Sequence, residues 1–140
     1  MPPDDERRTR LRFQAFDLER FPDGSCEARV EAEWTRGRTF TGTARGTQTL
    51  EGEIRAAARA TLAIAAEATE GALALDLRGA KALKAFDVWL VVVSVRALAG
   101  EKSLRLLGAY PCAEHEDPPR GAVFAVLDAT NRVVERFLEV

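Results

Sequence analysis

The feature that most constrains the fold is a change of apolar period that happens twice along the chain. Over residues 26–34 the letters alternate. Ala28, Val30, Ala32 and Trp34 share one side; Glu27, Arg29, Glu31 and Glu33 share the other. A strand with one buried and one wet face reads this way. Over residues 50–69 the spacing becomes three and four, through Ile54, Ala57, Ala58, Thr61, Leu62 and Ala65. That predicts a helix, ended by Gly71. Its stripe is mostly alanine, so the helix axis can lie close to a sheet.

The switch recurs in the second half. Strands are expected at 73–85, 87–97 and 103–112, and a helix at 118–138 with the stripe Val123, Val126, Leu127, Thr130, Val133, Val134, Phe137 and Leu138. In the first half, strands at 11–18 and 39–45 flank the 26–34 strand, with Pro22-Asp23-Gly24 and Gly37 as turns. The element order is thus βββα twice. An offset of 65 places Arg55, Ala57, Ala60 and Leu62 on Arg120, Ala122, Ala125 and Leu127, and Phe21, Val30 and Ala32 on Phe86, Val95 and Ala97. Gly42 falls on Gly108 with one more residue inserted. The expectation is an α+β domain of duplicated βββα halves, 10–70 and 71–140, with two helices packed on antiparallel sheet, after a polar tail at 1–9.

The halves differ on the wet face. Where the first half carries Glu27, Arg29 and Glu31, the second carries Val92, Ser94 and Arg96, preceded by Val88 and Leu90. A strand apolar on both faces is either covered twice or part of an interface. Val88, Leu90 and Val92 are therefore candidate interface residues, covered by a second subunit in a homodimer or by the first half's own elements.

With 140 residues, 46% of them apolar and 30% charged, the chain reads as one soluble globular domain. Its longest apolar run, at 88–93, is far shorter than the roughly 20 residues that span a bilayer. The first residues lack a signal-peptide core, and two cysteines without an export signal predict reduced thiols in a cytoplasmic protein. A net charge of -2 argues against a nucleic-acid partner. A likeness of the 40–62 stretch to the end of a double-stranded RNA-binding domain fails at Glu51-Gly52-Glu53, where phosphates would be repelled.

The stretch "PCAEHEDPPR" gathers Cys112, His115 (the single histidine), Glu114, Glu116 and Asp117. Zinc needs about four ligands, and no second histidine exists. The letters fit a helix entry better: Asp117 as N-cap, Pro118 at the first helical position, and acids near the positive end of the dipole. No phosphate-loop, dinucleotide or nucleophile-elbow motif occurs. Neither a cofactor, a metal nor a catalytic residue is expected. A small-molecule effector is sought instead at the two helix starts, where backbone N–H groups favour a carboxylate or phosphate. The candidates are Leu50, Glu51, Gly52 and Ile54 at the first, and His115, Asp117 and Arg120 at the second.

Two stretches carry a family resemblance. Asp117, Ala125, Ala129, Asn131 and Arg132 in the second helix, and Gly52, Ile54, Ala56, Arg59 and Ala60 in the first, fall on the helix patterns of the C-terminal regulatory domain of 2-isopropylmalate and citramalate synthases. The chain resembles that domain in element order over most of 25–135. Arg55, Ala122 and Pro118-Pro119 depart from it, where the family has aspartate, serine and two aliphatics. The catalytic barrel that such a domain regulates is not in this sequence. The resemblance implies a duplicated βββα fold that dimerises and binds a feedback amino acid near the helix starts, between the halves. A scaffold protein without a ligand is the alternative.

Overall fold

A computed structural model describes the backbone of residues 11–34 and 37–138 and the side chains of that range up to residue 134. The polar tail and the side chains of Phe137 and Leu138 lie outside the described residues. Strands β1 (Leu11–Arg20), β2 (Ser25–Trp34) and β3 (Thr39–Thr47) precede helix α1 (Leu50–Ala68); β4 (Ala74–Ala85), β5 (Val88–Ala99) and β6 (Lys102–Pro111) precede α2 (Pro118–Leu138). The strands form two antiparallel meanders, β1-β2-β3 and β4-β5-β6. This is the expected α+β fold of repeated βββα halves, with the strands divided between two sheets.

Local chemistry sets the boundaries. After β1, the Asp23 carboxylate accepts from the amide and hydroxyl of Ser25 at 2.9 and 2.6 Å, and Gly24 takes φ 87°. The Thr49 hydroxyl caps α1 by accepting from the Gly52 amide at 3.0 Å. Glu70 and Gly71 end that helix in left-handed backbone, the Gly71 amide donating back to the Ala66 carbonyl at 3.0 Å.

The inward faces are those the alternation gives. Cys26, Ala28, Val30 and Ala32 of β2 and Val91, Val93, Val95 and Ala97 of β5 are buried under the helices. α1 lies on β2 and β3, α2 on β5 and β6, and the helices pack on each other. Each helix also reaches the first strand of the other half, α1 touching β4 and α2 touching β1. There the Asn131 side chain clasps Leu11, accepting from its amide and donating to its carbonyl, both at 3.3 Å. This crossing packs each helix against strands of both halves. No helix among the described residues is long and apolar enough to cross a membrane.

Two glycines set the distance between helix and sheet. A Cβ on Gly42 would sit 2.0 Å from the Ala60 carbonyl oxygen, and one on Gly108 2.0 Å from that of Ala125. Ala60 and Ala125 are repeat partners at the expected offset. Gly42 lies opposite Val30 in its sheet, but Gly108 lies opposite Val93. The structural counterpart of Val30 is therefore Val93, and that of Ala32 is Val95, two residues earlier than the sequence shift places them. The longer β5–β6 hairpin absorbs the difference. An error of two leaves every side chain on its proper face, because the strand period is two. The counterparts of Glu27, Glu31 and Arg29 become Leu90, Ser94 and Val92, which sharpens the contrast between the wet faces.

Candidate functional site

The sequence expectation rests on free amides at the helix starts, and the structure limits that argument. At α1, Gly52 donates to the Thr49 side chain and Glu53 to the Thr49 carbonyl at 2.8 Å. At α2, Pro118 and Pro119 have no N–H, and Gly121 donates to the Asp117 carbonyl at 3.0 Å. Only Arg120 supplies a first-turn amide that the helix leaves uncommitted. Asp117 does occupy the N-cap position. The chemistry that the start of α2 presents is therefore mainly that of its side chains.

Those side chains converge because α2 starts beside β1 of the other half. Phe16, Asp17, Leu18 and Arg20 of β1, Asp117 just before α2, and Pro119 and Arg120 of α2 line a cleft of about 280 Å³. Arg20 ties this cleft to the other helix start: its Nε and Nη2 donate to the two carboxylate oxygens of buried Glu53 at 2.7 and 3.0 Å. That pair, with Asp117 acting at longer range, holds the Arg20 guanidinium above its ordinary pKa. Arg120 stacks over Phe13 at 4.7 Å and Phe124 at 5.5 Å, and its Nε lies 3.8 Å from Glu116. The two aromatic faces and the Glu116 carboxylate together fix the guanidinium. The Asp117 side chain makes no ion pair or hydrogen bond among the described residues, and Asp17 lies in register with Arg29 on the outer face of the sheet.

Glu116 is the residue that organises the entry to α2. It accepts from the Ala113 amide at 2.8 Å and from the Tyr110 hydroxyl at 2.9 Å. The Ala113 amide above all, then the Tyr110 hydroxyl and Arg120, hold its carboxyl below the ordinary range despite partial burial. Tyr110 in turn stacks on Phe124, with ring centroids 4.8 Å apart.

The candidates from sequence fare differently. Asp117 and Arg120 line the cleft; His115 stands exposed on the turn outside it. Leu50, Glu51 and Ile54 line a second cleft of about 250 Å³ against Ala80, Lys81 and Ala82 of β4, the repeat counterpart of the first. Gly52 lines neither, because Thr47 occupies the space where its Cβ would be. The sequence reading missed Phe16, Asp17, Leu18 and Arg20, which come from a strand about a hundred positions away. Their alternation puts Asp17 opposite in direction to Phe16 and Leu18, a signal of an edge with polar and apolar sides, but nothing local assigns that edge to α2.

The candidate interface residues Val88, Leu90 and Val92 are half-buried on the outer face of β5. The first half brings Glu51 and Arg55 to the margin of this face, in a cleft with Leu83, Val92 and Ser94. Beside them on the same face, Leu107 is 68% and Leu83 47% exposed, and Phe86 at the β4–β5 turn is 99% exposed. Cys26 and Cys112 are free and buried, and burial pushes both thiols above their ordinary pKa. No group of three or more His, Cys, Asp or Glu side chains placed to hold a metal occurs among the described residues. Comparison with protein-family models and with curated proteins finds no match.

Proposed function

We propose that the protein is a non-catalytic regulatory module of the cytoplasm that binds a small zwitterion, an amino acid with a short aliphatic side chain, in the cleft between β1 and the start of α2. The observation that carries this reading is the charge pattern of that cleft. The Asp117 carboxylate stands with the Arg20 and Arg120 guanidiniums around an apolar floor of Phe16, Leu18 and Pro119. An ammonium group fits the Asp117 carboxylate, a carboxylate fits Arg120, and an aliphatic chain fits the floor. The resemblance to the synthases' regulatory domain points to the same ligand class and to the same place, between the halves.

A ligand there is positioned to act at a distance. It would bridge β1 of one half and α2 of the other, and Arg20 carries the contact on to Glu53 at the start of α1. Binding therefore biases how the halves sit together, which is what a regulatory module requires.

A thermal-shift screen against the free amino acids tests this. At ten times its dissociation constant a ligand stabilises by about 1.4 kcal/mol. Aliphatic amino acids should raise the melting temperature, and Asp117→Asn, which keeps a helix cap, or Arg120→Gln should abolish the effect while the protein still folds. No response to any amino acid refutes the reading.

The exposed apolar face of the second sheet favours an additional role in self-association. Leu83, Leu90, Val92 and Leu107 with the fully exposed Phe86 form a surface that a second copy would cover in a homodimer. Sedimentation at micromolar concentration should give a dimer that Leu107→Glu converts to monomer; a wild-type monomer rejects it.

A further inference from the structure

At the opposite end of the β4-β5-β6 face from this apolar surface, three arginines line a cleft of about 310 Å³ with Ser103 and Leu104. Each comes from a different strand. Arg96 of β5 lies directly opposite Arg105 of β6, a like-charge pair that costs stability when nothing neutralises it. Arg78 is the extra residue of a bulge between Leu77 and Gly79 in β4, and a bulge re-aims the side chain it carries. Asp76, the carboxylate that pairs with one of the three among the described residues, lies opposite Arg96 in register but binds Arg78, Oδ2 to Nη1 at 3.2 Å. Among the described residues no carboxylate pairs with Arg96 or Arg105. The Arg96 Nε donates to the Ser103 hydroxyl at 3.0 Å, which orients the guanidinium and leaves the hydroxyl proton of Ser103 for another acceptor.

The outer face of the first sheet shows the contrast. There Arg29 is neutralised by Glu31 at 3.2 Å on its own strand. In a chain of net charge -2, three guanidiniums sharing one carboxylate are a local excess that general composition does not explain. We infer that this cleft is a second binding site, for the phosphate or pyrophosphate group of a small molecule. Planar guanidiniums from three directions match the oxygens of a multiply charged oxyanion, with Ser103 as a fourth donor. The bound anion removes the repulsion between Arg96 and Arg105. The site is separate from the amino-acid cleft, which lies where the helices begin.

The test is isothermal titration with inorganic pyrophosphate at low salt, with sodium chloride at matched ionic strength as control. Saturable binding is expected for the wild-type protein, and it should weaken at least ten-fold in Arg105→Glu and in Arg96→Gln. Arg105→Glu places a carboxylate opposite Arg96, so it should stay folded by circular dichroism and keep the amino-acid response of the other cleft. Equal binding by wild type and both variants, a chloride effect of the same size, or no binding at all overturns the inference. None of these outcomes bears on the amino-acid site, whose response is read by a different ligand and different variants.

Discussion

Replacing Gly108 by alanine tests the close approach of α2 to the second sheet, on which the geometry of both halves depends. The added Cβ would lie 2.0 Å from the Ala125 carbonyl oxygen and 2.8 Å from both the Cβ and the amide nitrogen of Ala129. These are mostly helix backbone atoms, so no rotamer change relieves the overlap. The helix has to retreat by about 1 Å, and a gap of that size forfeits a quarter to a half of the dispersion attraction at each contact along it. Val123, Val126 and Val134 are all fully buried in this layer. Overpacking ordinarily costs about 1–3 kcal/mol, and a collision with backbone belongs at the upper end, about 3 kcal/mol. For a chain of this length that lowers the melting temperature by roughly 10 °C. Gly79→Ala is the control, since a Cβ there meets nothing within 4 Å. Urea unfolding followed by circular dichroism measures both. A cost below about 1 kcal/mol for Gly108→Ala, or an equal cost for Gly79→Ala, would refute the packing argument.

Three further outcomes follow from the same geometry. The folded-state pKa of Glu116 is depressed below the ordinary 4.5, so its contribution is present above that value and is lost as pH falls through the depressed one. Acid unfolding curves of wild type and Glu116→Gln should therefore converge below pH 4.5, and a constant difference at all pH values would contradict the assignment. Cys26 and Cys112, buried and with raised pKa, should resist a thiol reagent in the folded protein and react fully in denaturant; rapid native labelling would count against their burial. A Cβ on Gly121 would lie 2.5 Å from the Cys112 Sγ, whereas the first half has the reverse arrangement, Ala56 against Gly46. Gly121→Ala should therefore destabilise by about 1–2 kcal/mol, and Cys112→Ala should recover much of it in a double-mutant cycle, where strict additivity would be the contrary result.

Much of the fold is legible in the letters because two periods, two and 3.6, specify which face of each element is buried. The elements in β2 and α1 follow from Ala28-Val30-Ala32 and Ile54-Ala57-Ala58-Thr61, with ends within a few residues. The two-residue displacement in β5 is not legible, since an even shift preserves every face and leaves the apolar pattern unchanged. The sites divide along the same line. Asp117 and Arg120 are visible beside a proline helix start, but Phe16, Asp17 and Arg20 join them through packing of one half on the other, which no local pattern encodes. His115 and Gly52 have suggestive neighbours in sequence, yet one points to solvent and the other is pressed on Thr47. The facing of Arg96 and Arg105 is legible in the letters. A two-residue turn at Gly100-Glu101 places Arg96 opposite Arg105 by counting alone.

The most direct test of the account is a titration of the isotope-labelled protein with L-leucine, followed by amide chemical shifts. The account predicts saturable shifts concentrated in Phe16–Arg20 and Asp117–Arg120, the two segments that face each other across the cleft, with the amides of β2 and β3 unmoved. Shifts absent at millimolar L-leucine and at every other aliphatic amino acid, or confined to surfaces away from that cleft, would contradict it.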